Sequence, residues 1–159
     1  MKLHGDMTIN GRKYKAGEDA PAGVLYAFFL VHMGIFGLSG FLMAYAMKEV
    51  DLTFLYIHGG IAIFVYVVFY LAIFGADQVR WMFINAAIGL FGIWTEIDWL
   101  LGLFGKHAAD YSWKVHVIPF LYYVLYTFLL WQVVLDVTKA RGEPGREQTV
   151  KTWYVVASM

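Results

Sequence analysis

Residues 52–75 read LTFLYIHGGIAIFVYVVFYLAIFG, without one charged side chain. At ~1.5 Å per residue, a helix of this length covers the ~30 Å hydrocarbon core of a bilayer. A segment in hydrocarbon must satisfy its own backbone N–H and C=O groups, which a helix does internally. The run therefore predicts a membrane-spanning helix. The pattern recurs on either side of it. Residues 22–47 are also uncharged, 80–104 hold Glu96 and Asp98 within an apolar run, and 112–137 are charged only toward their ends, at Lys114 and Asp136.

Composition agrees with this reading. Of 159 residues, 60% are hydrophobic and only 15% charged, with a mean hydropathy of +0.60, outside the range of ordinary soluble domains. The 19% aromatic share includes many rings near the ends of the apolar runs, where Trp and Tyr suit the headgroup level. Four spans and short connections use nearly the whole chain, so residues 1–159 are expected to form a single transmembrane domain, an all-α, four-helix up-down bundle.

The polar ends complete the plan. Asn10-Gly11, set between short alternating segments in residues 7–15, predicts a small N-terminal β-hairpin. Pro21 opens the first span, where its missing N–H would have had no partner. The tail from Gly142 begins as a polar Gly/Pro loop and ends in Trp-Tyr-Val-Val, read as a strand or a partner-binding segment. The mixed-charge start, Met1 to Asp19, does not resemble a cleavable signal peptide. Nine Lys and Arg fall on the side of the termini and three on the other, so the positive-inside rule puts both termini in the cytoplasm, with a prokaryotic inner membrane as the expected location.

Net charge is zero, which gives no reason to expect a nucleic-acid partner. The expected partners are the bilayer and other membrane subunits or further copies of this chain. Absence of cysteine excludes thiolate metal sites, iron–sulfur ligation and thiol redox chemistry within the chain. No phosphate-binding glycine loop, nucleophile elbow, zinc-protease helix or histidine-box series is present.

Function is sought in the polar residues of the spans, since a charged carboxylate at mid-helix costs roughly 2.5 kcal/mol or more. On straight helices, Glu96 and Asp98 lie about 12 and 9 Å from the far end of the third span, His58 about 9 Å from the start of the second, and His116 about 6 Å from the start of the fourth. These four share one layer near the extracytoplasmic surface. Two histidines and a carboxylate suit a transition metal (iron, copper or zinc), while His58 and His116 on diagonal helices suit the axial positions of a haem b. Asp98, about 200° around from Glu96, is a secondary group, and loop residue His107 a further addition.

Asn85, Gly89, Gly92 and Glu96 share one helical face. His116, Tyr123 and Thr127 share another, and His32 and Ser39 a third. Three readings follow. One is a redox protein or subunit of a respiratory or oxygenase-type complex, holding metal or haem through His58, His116 and Glu96. Another is a proton or cation pathway with Glu96 as the titrating group, continued by His32, Ser39, Asn85, Tyr123 and Thr127. The last is an accessory subunit whose polar groups specify helix packing. The glycines of the first three spans either let helices approach closely or leave room for a flat cofactor.

Overall fold

The computed structural model describes residues 1–157, and the chain divides into two compact units, Met1–Tyr126 and Thr127–Met159.

In the first unit the N-terminal segment forms the expected hairpin. Strands β1 (Met7–Ile9) and β2 (Arg12–Tyr14) pair antiparallel, with Met7 opposite Tyr14. Asn10 and Gly11 both have positive φ, 49° and 78°, which is what a two-residue turn matching the twist of the strands requires. Alternation buries Met7, Ile9 and Tyr14 together with Leu3 and Ala20. The backbone N–H groups of His4 and Gly5 both donate to the Ala72 carbonyl, at 2.7 and 2.9 Å, and so hold this segment at the end of the second helix.

Helices α1 (Ala22–Tyr45) and α2 (Leu52–Phe74) match the expected spans to within a few residues. Asp51 starts α2 by accepting a hydrogen bond from the Phe54 N–H at 3.0 Å, satisfying one of the donors that a helix start leaves open. Helix α5 (Trp113–Val137) matches the fourth. Close approaches depend on two glycines. A Cβ at Gly59 of α2 would come within 2.5 Å of the Ile118 side chain on α5, and one at Gly40 of α1 within 2.8 Å of the Tyr122 ring. The Tyr56 hydroxyl donates to the Lys114 carbonyl at 2.7 Å, which sets the start of α5 beside the start of α2.

The third span is not the straight helix that its apolar sequence predicts. It is two helices, α3 (Ala76–Ile88) and α4 (Leu90–Gly102), bent by 73° at Gly89. Glycine is the weakest helix former apart from proline, and here it closes α3, donating its N–H to the Asn85 carbonyl at 2.8 Å. Together α3 and α4 return the chain from the Phe74 end of α2 to its Asp51 end. Among the described residues, three helices are long and apolar enough to cross a membrane, or four if the bent pair is one crossing. Ile35, Ile61 and Phe64 are exposed on α1 and α2, an outer surface suited to lipid.

The second unit begins at Thr127, in the later part of α5. After Val137 the Lys139 N–H donates to the Asp136 carbonyl and the Ala140 N–H to the Leu135 carbonyl, with Lys139 at φ 52°. This pair of bonds is a Schellman ending, with lysine in the left-handed position that glycine usually takes. Arg141 reinforces it through Asp136, Nε to Oδ1 at 2.5 Å. The tail leaves a short turn at Arg141 and Gly142 and is then helical, not a strand. From Pro144, which suits a first helical turn, it forms helix α6 (Pro144–Ala157), with Tyr154 edge-on to Trp131 at 5.4 Å.

Candidate functional site

Chemistry-bearing side chains of the first unit collect at the end that holds the α1–α2 loop and the α4–α5 connection. His116 is their centre. It is 4% exposed, with Nε2 3.0 Å from the Ala108 carbonyl and Nδ1 2.7 Å from the Tyr45 hydroxyl. A carbonyl cannot donate, so Nε2 carries the ring proton, and in the neutral ring Nδ1 accepts from Tyr45. Both nitrogens are thereby engaged. Trp94 and Tyr111 meet the same ring edge-on, at 4.6 and 6.2 Å.

The connection from α4 to α5 closes on this centre. Asp98 Oδ1 accepts from the Ala108 N–H at 2.6 Å and lies 3.9 Å from His107 Nδ1. Ala108 opens a short 3-10 turn, Ala108–Asp110, and is fully buried. The Tyr45 carbonyl accepts from the Lys106 ammonium group and, at 3.2 Å, from the Tyr111 hydroxyl. His116, Tyr45, Asp98 and Lys106 therefore form one network that ties the end of α1, the connection and the start of α5 together.

Beside this network, among α1, α4, α5 and the connection after α4, lies a cavity of about 690 Å³. Tyr45 belongs to both regions, since its hydroxyl and carbonyl serve the network while its residue lines the cavity. The α1 wall runs from Tyr45 back to Met33, about 18 Å of helix. It includes Gly34 and Gly37, where an added Cβ would meet nothing within 4 Å. The other walls carry apolar and aromatic residues, among them Phe104, Leu101, Pro119 and Tyr126. Tyr123 also lines the cavity and donates its hydroxyl proton to Glu96 Oε2 at 2.5 Å. Tyr122 is 3% exposed, and its hydroxyl has no hydrogen-bond partner among the described residues.

The residues singled out in the sequence are not brought into one cluster. Among the described residues, no three of His, Asp and Glu stand close enough together to hold a metal ion. His58 is partly buried between the rings of Phe36 and Phe54, at 6.0 and 5.7 Å, with Nδ1 lacking a partner among the described residues. Glu96 is exposed rather than buried. The bend explains it. With α4 turned 73° from α3, the six residues from Glu96 to Gly102 advance only about 3 Å along the α3 axis, instead of about 9 Å on a straight helix. The face shared by Asn85, Gly89, Gly92 and Glu96 is likewise broken at Gly89, and Asn85 is exposed.

His32 is exposed and its Nδ1 bonds the Phe28 carbonyl at 2.7 Å, while Ser39 donates to the Phe36 carbonyl at 2.8 Å. Both satisfy themselves on their own helix. Thr127 is partly buried and belongs to the second unit. Ligation by His116 would require breaking its bond to Ala108 or to Tyr45, and in either case would strand a buried backbone or phenolic group.

Sequence reasoning found His116 and Asp98 but not their partners Tyr45 and Ala108. The glycine pattern did hold a signal. Gly40 and Gly59 serve close packing, whereas Gly34 and Gly37 open the cavity. Compared with protein-family models, curated proteins and solved structures, the chain matches none, so its functional reading rests on this geometry.

Proposed function

We propose that this chain is a membrane-embedded subunit that binds a lipid-soluble molecule in the cavity between α1, α4 and α5. The cavity carries the proposal. Its volume of about 690 Å³ falls in the range of about 300–1,000 Å³ typical of small-molecule sites, and its wall combines an apolar, aromatic surface with a few polar groups. In this reading the bent α3–α4 pair is the third crossing of a four-helix bundle. Leu38 and Leu42, exposed residues of the cavity wall, give access from the acyl-chain region. Such a subunit could serve the redox assembly expected from sequence through a bound organic molecule, with the histidines in structural roles.

Native mass spectrometry of protein released from micelles tests the proposal, with decylubiquinone as the probe. A one-to-one adduct is expected for the wild type and for Gly60→Trp, which lies outside the cavity, but not for Gly37→Trp, whose indole fills it. Adduct formation unaffected by Gly37→Trp would refute the site.

The orientation in this reading, with both termini in the cytoplasm, is supported by the nine-to-three distribution of basic residues. The chain has no native cysteine, so Ala109→Cys and Glu143→Cys each introduce a unique label. An impermeant maleimide on intact cells should modify the first and not the second, and the reverse pattern would overturn the orientation.

A further inference from the structure

Helix α6 changes character along its length. Its first turns hold Arg146, Glu147, Gln148 and Thr149, whereas its last turns, from Trp153 to Ala157, carry no charge. Two contacts fix how it lies against α5. Arg146 Nη1 donates to the Lys139 carbonyl at 3.3 Å, just beyond the end of α5, and the Tyr154 ring meets the Trp131 ring at 5.4 Å. These contacts are eight residues apart on both segments, 146 to 154 and 139 to 131, in opposite senses, so α6 runs back along α5 for about 12 Å. Trp131 itself lies about 7.5 Å to the apolar side of Asp136, the first charged residue met on leaving the span.

Glu147, Val150 and Tyr154, spaced to share one face, are all partly buried. Arg146, Thr149, Trp153 and Val156 share another face and are all exposed, Trp153 at 70% and Val156 at 57%. The Thr149 hydroxyl donates to the Gly145 carbonyl at 3.0 Å, so its proton is satisfied on its own helix. Apolar side chains scattered over a wetted surface are ordinary. Trp153 and Val156 instead flank Tyr154, at the level of a residue inside an apolar span.

Resting on α5 as a crossing of the bilayer, we infer that the last turns of α6 dip into the membrane at the Val137 end of α5. Trp153 and Val156 enter the headgroup–acyl boundary, and Arg146 meets the lipid phosphates. An indole suits that boundary, with an apolar body and one N–H to bond. Of the guanidinium's five N–H donors, the Lys139 carbonyl engages one nitrogen, and the others are open to phosphate oxygens. Lys151 can lay its stem along the apolar boundary and keep its ammonium group among the headgroups. The gradient from charge to apolar surface runs along the span, as the polarity of the bilayer does, which favours lipid over a second protein.

Site-directed spin labelling tests this on the full-length chain, which has no native cysteine, in vesicles of phosphatidylcholine and phosphatidylglycerol. Nitroxides are attached to three exposed positions: Val156→Cys, Gln148→Cys in the first turns of α6, and Ile61→Cys on the outer surface of α2. Relaxation by oxygen, which concentrates among acyl chains, is compared with relaxation by a water-soluble nickel chelate. The oxygen-to-nickel ratio at Val156 should be well above that at Gln148 and toward that at Ile61. Equal ratios at Val156 and Gln148, with a high ratio at Ile61, would place α6 in water and overturn the inference. Low accessibility of the Val156 label to both reagents, with an immobilised spectrum, would put a protein surface there and overturn it as well. An aqueous ratio at Ile61 would instead remove the membrane reading on which the inference rests.

Discussion

Two adjoining regions of the first unit share Tyr45 and differ in how their polar groups are used. In the network around His116, both imidazole nitrogens, the Ala108 N–H and carbonyl, the Tyr45 hydroxyl and carbonyl, and Asp98 Oδ1 all have partners within the chain. The cavity, by contrast, has an apolar, aromatic wall with few polar groups. Ionisable residues inside an apolar chain draw attention as candidate chemistry, yet here they build the joint between helices.

The most severe test of this contrast is His116→Ala, which strands the Tyr45 hydroxyl and the Ala108 carbonyl together. A loss of about 3 kcal/mol is expected in reversible unfolding by sodium dodecyl sulfate in mixed micelles, with no change in bound metal by elemental analysis. Destabilisation of this size by His116→Ala should be strongly non-additive with Tyr45→Phe, since both remove the same bond. If His116 were a ligand, metal content would fall instead.

Next in size is a comparison of glycines. Gly59→Ala puts a methyl group 2.5 Å from Ile118 Cγ2 and should cost about 1–3 kcal/mol in the same assay. Gly37→Ala meets nothing within 4 Å and should be neutral or stabilising by up to about 1 kcal/mol, from helix propensity. Equal losses at the two positions would mean that the cavity wall is packed like the α2–α5 contact.

A smaller effect is expected for Asp98→Ala, which removes the acceptor of the Ala108 N–H and should cost about 1 kcal/mol. The smallest is Tyr122→Phe. In ligand-free micelles it should change stability by less than about 0.5 kcal/mol, or raise it, because the hydroxyl that it deletes makes no hydrogen bond among the described residues. A clear loss would reveal a partner for that hydroxyl and weaken the contrast.

Much of the fold was legible in the sequence because hydrophobic length and turn chemistry are local signals. Asn10-Gly11 specified the hairpin, and the uncharged runs specified α1 and α2 to within a few residues. The break at Gly89 was not legible. Gly89 and Gly92 lie in an apolar run where glycine serves close packing as readily as a bend, and only tertiary contacts decide between them. That one bend displaced the inferred depths of Glu96 and Asp98, and with them the metal-site geometry. The C-terminal helix was hidden by the polar residues that open it, although Pro144 is a helix-start signal. His116 was identifiable as a polar residue in a span, but its partners Tyr45 and Ala108 are 71 and 8 positions away and come together only through the fold.

The central claim is that the cavity, and not the His116 network, receives a ligand. Photo-crosslinking of a diazirine-bearing short-chain quinone to the protein in bilayers, with the modified residues mapped by peptide mass spectrometry, tests it most directly. Adducts are expected on the cavity face of α1, from Gly34 to Tyr45, and on α5 around Tyr122 and Tyr126, suppressed by excess decylubiquinone and absent from Gly37→Trp. Adducts confined to the outward-facing Ile35, Ile61 and Phe64, and indifferent to competitor, would contradict it.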